Sequence, residues 1–221
     1  MKIKKLILKT LSIGILSTLI FLIVSFLWLT DFSWTNISSK KEMKENGSII
    51  ALTTPLPKRF YHVYDIIHPD QRAITMLEQI RTYILPNQQV GHWDCKCDEI
   101  GYLAWNNHKA DLKFNLTNIL KKGGYLKFGI GLEKYSSPEK CFDFWINNSI
   151  FWKGHFLKDL NSLSQIIANK NVNQLNTEET ILLIAWHDML NRGLTDSNSV
   201  QQRFQMLKKH YLLMSKKHVE P

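Results

Sequence analysis

The stretch Asn176–Leu190, "NTEETILLIAWHDML", decides the fold class. Asn176 is a preferred N-cap, and Glu179 three positions on completes a capping box, so the chain turns helical here. The apolar run continues to Leu190, and Gly193 stands just beyond it as a stop signal. Its apolar residues wrap most of the helical circumference, and a helix that is apolar all round belongs inside a core. The stretch predicts a central buried helix in a mainly α fold.

Working outward, Val200, Phe204, Leu207, Tyr211 and Met214 repeat at intervals of four, three, four and three. That spacing predicts a C-terminal amphipathic helix packed on the body. Upstream, Ser137 caps a helix with Pro138 at its first position, where the missing N–H costs nothing. A helix from about Tyr125 to Lys134 precedes it, and before that one from about Asp111 to Lys121, with Leu112, Leu116, Ile119 and Leu120 inward and Gly123-Gly124 at its end. "DQRAITMLEQIRTYI" predicts another helix starting at Asp70, with Ile74, Leu77, Ile80 and Ile84 on one face and Asp70 as its cap. Between them Pro86 to His108 has no clean period and reads as a long loop or small excursion.

At the N-terminus, Leu11–Leu29, "LSIGILSTLIFLIVSFLWL", carries no charge. At ~1.5 Å per residue it spans roughly 28 Å, close to the thickness of a hydrocarbon core. The run exceeds the apolar region of a cleaved signal peptide and no small-x-small site follows it, so it reads as a retained transmembrane anchor. Lys2, Lys4, Lys5 and Lys9 precede it, which puts residues 1–10 in the cytoplasm and the body outside a bacterial cytoplasmic membrane. Residues 30–52 then read as a polar juxtamembrane linker, and residues 53–217 as the domain. Those four lysines leave +5 of the chain's +9 for the rest, a modest attraction for anionic lipid or pyrophosphate headgroups. No nucleic-acid-binding pattern accompanies the charge, and nucleic acid is not an expected partner.

Three cysteines, Cys95, Cys97 and Cys141, fit an exported protein with at most one disulfide and one thiol left over. Cys95 and Cys97 are too close in sequence to pair comfortably, so either can pair with Cys141. His92 and His108 flank the C-x-C, but the spacing matches no standard zinc site. His187 and Asp188 are consecutive on a helix and read as incidental. The aromatics from Trp145 to Trp152 read as core or as a lipid-side surface, and Glu133 as a local pair or cap.

In order along the second half, Leu132, Glu133, Lys134, Tyr135, Ser136, Glu139, Trp145, Ile146 and Asn147 follow the pattern L-E-R-x-Y-S-K-x-E-I-L-x-x-Y-L-N, with one extra residue near Pro138. "IFWKG" (Ile150 to Gly154) follows at the right place, and "QLNTEETILLIA" (Gln174 to Ala185) aligns with D-L-T-x-x-E-A-A-L-L-A without a gap. Arg203 and Leu207 echo a later R-x-x-x-V-L. From about Ala110 to Met214 the chain thus resembles the family 51 glycosyltransferases, the peptidoglycan polymerases found alone or fused to penicillin-binding proteins.

The resemblance implies a lysozyme-like α-helical domain that binds polyprenyl-pyrophosphate-linked disaccharides at the membrane and joins them. In the family a Glu base in E-D-x-x-F-x-x-H-x-G deprotonates the acceptor hydroxyl, a poor nucleophile without a positioned proton acceptor. Basic residues, often with a divalent cation (Mg or Mn), stabilise the leaving pyrophosphate. That motif has no counterpart here. Its nearest match, "YHVYDIIHPDQ", offers Asp65 and Asp70 as catalytic carboxylates and His68 as a substrate contact, and Glu99 is a further displaced acid. The family's second site maps onto "HKADLKFNLTNIL", where Asn115 stands in register as a candidate substrate contact. The third maps onto "KKGGY", where Lys121 and Lys122 are candidate pyrophosphate contacts, with Lys127 nearby, and Tyr125, a further candidate substrate contact, stands where the family has its second Glu. Three functions follow: a peptidoglycan glycosyltransferase with a relocated base; a catalytically silent descendant that binds lipid-linked glycan or a cell-wall synthesis protein; and a lysozyme-like hydrolase, for which no carboxylate pair stands out.

Overall fold

The computed structural model describes residues 14–25, 40–69, 71–84, 95–107, 123–152, 155–157 and 159–217. They are mainly helical: α1 at residues 14–25, then α2 (Lys40–Ala51), α3 (Lys58–Ile67), α4 (Met76–Ile84), α5 (Lys96–Asn107), α6 (Gly123–Glu133) and α7 (Pro138–Asn148). A two-residue hairpin, β1 (Phe151–Trp152) against β2 (His155–Phe156), pairs antiparallel with Phe151 opposite Phe156. It leads into α8 (Leu160–Ala168), a 3-10 turn (Val172–Gln174), α9 (Thr177–Asn191) and α10 (Ser197–Lys217).

Helix α9 is central: it packs on α3, α8 and α10, and buries Ile181, Leu183, Ile184, Ala185, His187, Met189 and Leu190 around its circumference. Its start has the expected chemistry, since the Asn176 side chain accepts from Glu179 N and Glu179 Oε2 accepts from Asn176 N. At α7, Ser137 accepts from Lys140 N with Pro138 at the first position, again as expected. On α10, Val200, Phe204 and Leu207 are buried, with Tyr211 and Met214 half-buried below them. A second layer, α5 on α6 and α7, carries Cys97, Ile100, Phe128, Leu132, Phe142 and Ile146 into the same core.

Four sequence expectations are corrected. Residues 40–51 are helix α2 rather than linker, and Met43 and Ile50 are fully buried against the body. Gly47 is what lets α2 come close, because a Cβ there would stand 2.3 Å from Tyr135 Cβ and 3.2 Å from the Tyr135 carbonyl carbon. Gly47→Ala is therefore expected to lower stability by about 1–3 kcal/mol through overpacking, read as a lower urea midpoint with an unchanged slope.

Helix α4 starts at Met76, six residues after Asp70. Its cap is a reciprocal box: Thr75 Oγ1 accepts from Glu78 N at 3.1 Å and Glu78 Oε2 accepts from Thr75 N at 2.8 Å. Glu133, at the end of α6, adds its carboxylate to Met76 N at 3.2 Å, so its capping role is to a distant helix. The stretch read as a loop contains α5, whose first turn holds Asp98 and Glu99, a favourable sign at a helix N-terminus. Helix α6 starts at Gly123, two residues before the expected start at Tyr125, so Gly123-Gly124 opens it. The expected helix at 111–121 lies outside the described residues.

The disulfide joins Cys97 to Cys141, tying α5 to α7 with Cα atoms 5.1 Å apart. Cys95 is a buried free thiol whose pKa burial pushes up to about 12. Among the described residues no helix is long and apolar enough to cross a membrane. Of the run read as an anchor, residues 14–25 are described; they are helical, with Ile15, Leu16, Leu19 and Phe21 more than half exposed.

Candidate functional site

Helix α3 presents the residues that the sequence singles out. Its buried face holds Phe60, Val63, Tyr64 and Ile67, which fixes the opposite edge, with Tyr61 and Asp65, toward a polar cluster. His68 is its C-cap, the imidazole tilted against the Tyr64 ring at 4.8 Å. Asp65 and His68 stand three apart in sequence, close enough to share one face of a helix. Each instead has its own partners.

Asp65 accepts from Arg72 through both oxygens, from Nε and Nη2 at 3.0 Å each. The same guanidinium lies over the Tyr61 ring, 4.6 Å from its centroid. Tyr61 in turn donates to Asp143 Oδ1 at 2.6 Å and accepts from Leu56 N at 2.7 Å. Asp143 is buried on α7, and burial raises its pKa while the Tyr61 hydrogen bond opposes the rise. Burial and the Asp143 carboxylate push the Tyr61 hydroxyl upward as well, so it stays protonated as the donor.

His68 faces the other way. Its Nε2 stands 3.7 Å from Asp188 Oδ2, beyond hydrogen-bond reach but close enough to act on its charge. Asp188 accepts from both Nε and Nη2 of Arg203 on α10. Burial works against this carboxylate, yet His68 and Arg203 outweigh it and hold its pKa down at about 2. His187, next in sequence, turns inward, with Nε2 2.9 Å from Ser149 Oγ and its ring edge-on to Trp145 at 4.9 Å. Burial, first among several influences, brings its pKa down to about 4, which keeps the ring neutral. Trp145 also lies under Lys96 Nζ at 4.1 Å, and Lys96 donates to Glu99 at 2.5 Å.

These three clusters join α3, α5, α7, α9 and α10 around one polar seam. Asp65, Asp143, Asp188 and Glu99 each have a cation or a hydroxyl already seated on them. The divalent cation that the resemblance implies finds no fit: among the described residues no three His, Cys, Asp or Glu side chains converge as ligands, and Asp65 is occupied by Arg72. Asp70, Asn115, Lys121 and Lys122 lie outside the described residues, as do His92 and His108, and Tyr125 is placed on α6 by its backbone alone.

Comparison of the chain with family models, with curated proteins and with solved structures finds no match in any of the three.

Sequence reasoning missed the partners of the seam and a groove beside it. The seam's Asp188 and Arg203 were visible as a buried-helix acid and an amphipathic-helix cation, without a signal that they meet. The groove, a cavity of about 530 Å³, lies between the α2–α3 connection, the end of α7 and the start of α8, and its only hint in sequence is the density of asparagines after Asn147.

Proposed function

We propose that this protein is a peptidoglycan glycosyltransferase-like domain that binds polyprenyl-pyrophosphate-linked disaccharide without polymerising it. In this reading a single N-terminal span holds it in the bacterial cytoplasmic membrane, N-terminus inside and body outside, among lipid, lipid-linked glycan and cell-wall synthesis proteins. The observation that carries the reading is Asp65. It is the described acid nearest in sequence to the family's base motif, and Arg72 occupies both of its oxygens. An acceptor hydroxyl would have to displace Arg72 from Asp65 to reach it, and loss of a general base costs about 100- to 10,000-fold.

Two further features support it. Much of the sequence that carries the resemblance is helical, Glu139 to Asn147 on α7 and Thr177 to Ala185 on α9, as a mainly helical domain requires. The apolar side chains of α1 are exposed, as suits a helix whose surroundings are hydrocarbon.

The test is polymerisation of labelled lipid-linked disaccharide by the detergent-solubilised full chain with Mg²⁺ or Mn²⁺, beside a binding measurement with the same lipid. The expected result is binding without glycan product, with the affinity lowered about tenfold or more when Lys121 and Lys122 are both replaced by alanine. Glycan product abolished by Asp65→Asn, Asp70→Asn or Glu99→Gln would make the protein an active polymerase with a relocated base.

A further inference from the structure

We propose that the groove beside α7 is a binding site for a neutral saccharide, and for N-acetylated amino sugars in particular. Its size is that of a small-ligand pocket, about 530 Å³. One wall is the extended segment Thr53–Pro57; the other is built from Asn147 at the end of α7, Asp159 and Asn161 at the α8 entry, and Asn171 to Asn173 around the 3-10 turn.

The polar walls are held rigid. Asn147 accepts from Leu160 N at 3.1 Å and donates to the Asp143 carbonyl at 3.0 Å. Asn161 Oδ1 accepts from Val172 N at 3.1 Å, and Asp159 Oδ1 accepts from the Ser162 N–H and hydroxyl at 2.8 Å. Lys140 Nζ pins the Thr53 carbonyl at 2.8 Å from the other side. These bonds fix the rotamers, so the polar atoms not spent in them are pre-organised: the Asn161 amide N–H donors and Asp159 Oδ2. The Thr54 hydroxyl and the Asn173 amide stand beside them, both residues exposed. Pre-organised groups lose little entropy on binding.

The lining selects the ligand class. Among the described residues no Lys or Arg lines the groove, and the single carboxylate there has one oxygen engaged in capping α8. What remains is amides and hydroxyls interleaved with the CH faces of Pro55, Pro57 and Val172. A pyranose has the matching surface, with hydroxyls at its rim and CH groups on its faces, and an acetamido group adds a carbonyl for an amide donor and a methyl for an apolar wall. An extended peptide would call for a free strand edge instead of side-chain amides. The preference for N-acetylated sugars rests on the functional reading above, whereas the neutral-saccharide class rests on the groove.

The probe is chitotetraose, a neutral chain of N-acetylglucosamine, titrated calorimetrically into the detergent-solubilised full chain. Thr54→Val, Asn161→Asp and Asn173→Ala are each expected to raise its Kd roughly 3- to 10-fold, one neutral hydrogen bond apiece. Thr54 and Asn173 are exposed, so those two variants keep the fold intact, which circular dichroism checks. Absence of binding at millimolar chitotetraose, or a Kd unchanged in all three variants, would overturn the site. Equal affinity for maltotetraose, which lacks acetamido groups, would overturn the N-acetyl preference. Lipid-linked disaccharide binding is measured in parallel. Its absence beside groove-dependent chitotetraose binding would remove the functional reading and leave the groove, and the converse would do the opposite.

Discussion

Replacing Arg203 by methionine is expected to destabilise the protein by about 3–5 kcal/mol at neutral pH, the usual cost of leaving a buried charge without its partner. For a chain of this size that is a fall in Tm of roughly 6–20 °C. The pair is desolvated enough for the estimate to apply, since both side chains are only 15% exposed. Asp188 titrates at about 2 in the folded protein, below an unfolded carboxylate near 3.9. Its pairing therefore contributes stability that is fully present above pH ~4 and is lost as pH falls from about 4 toward 2. In Arg203→Met the Asp188 pKa rises, so the gap between variant and wild type should shrink on acidification, most of it between pH 5 and 2. Urea unfolding across that range is the measurement, and a gap that stays constant with pH would mean that Arg203 acts through its packing alone.

The same pair separates a structural from a functional role for the seam. A double variant, Asp188→Leu with Arg203→Met, should recover much of the loss, because an apolar replacement of a buried ion pair is often neutral. Additive losses in the double-mutant cycle would argue that the two side chains do not share one interaction.

What was legible in the sequence follows from the range of the physics involved. Helices α7, α9 and α10 could be read because their determinants are local: Ser137 with Pro138, Asn176 with Glu179, and the four-three repeat from Val200. Helices α2 and α5 could not. In α2 the polar run "KKEMKENGS" hides the core residue Met43, and its burial together with that of Ile50 just beyond depends on Tyr135 and on the absence of a side chain at Gly47. In α5 the residues that define the inner face include Cys97, whose partner Cys141 is 44 positions away.

The site divides in the same way. Asp65 and His68 were visible as an acid and an imidazole three apart, but their meaning is set by Arg72, by Asp188 and, through Asp188, by Arg203. Asp188 was read as incidental because its neighbour His187 cannot face it. In the structure that divergence is the point: one side chain seals the Trp145–Ser149 corner while the other holds α10 to the end of α3. The groove was less legible still, because its asparagines come from three separate segments, and Asn147 and Asn161 are oriented by backbone partners distant from them in sequence.

Removing the disulfide should have an effect of similar size to the loss of Arg203. For a loop closed over 44 residues, the chain-entropy relation gives a stabilisation of about 4 kcal/mol, so Cys97→Ala with Cys141→Ala is expected to lower Tm by roughly 8–16 °C. The single variant Cys97→Ala decides more, because Cys95 lies two residues from the lost partner and Cys141 is left with a free thiol. Cys95 will not take over the bond. Its thiol is buried and stays protonated below about pH 12, whereas exchange needs a thiolate. Its backbone N–H is held by Gln79 Oε1 at 2.8 Å, and reaching Cys141 would break that bond and unwind the start of α5, where Cys95 O accepts from Asp98 N and Glu99 N. Thiol titration then has a sharp expectation: wild type shows one free thiol, reactive only after denaturation, and Cys97→Ala shows two. Finding none in the oxidised variant would establish that Cys95 pairs with Cys141, and with it that the C-x-C segment can shift register to exchange one disulfide for the other.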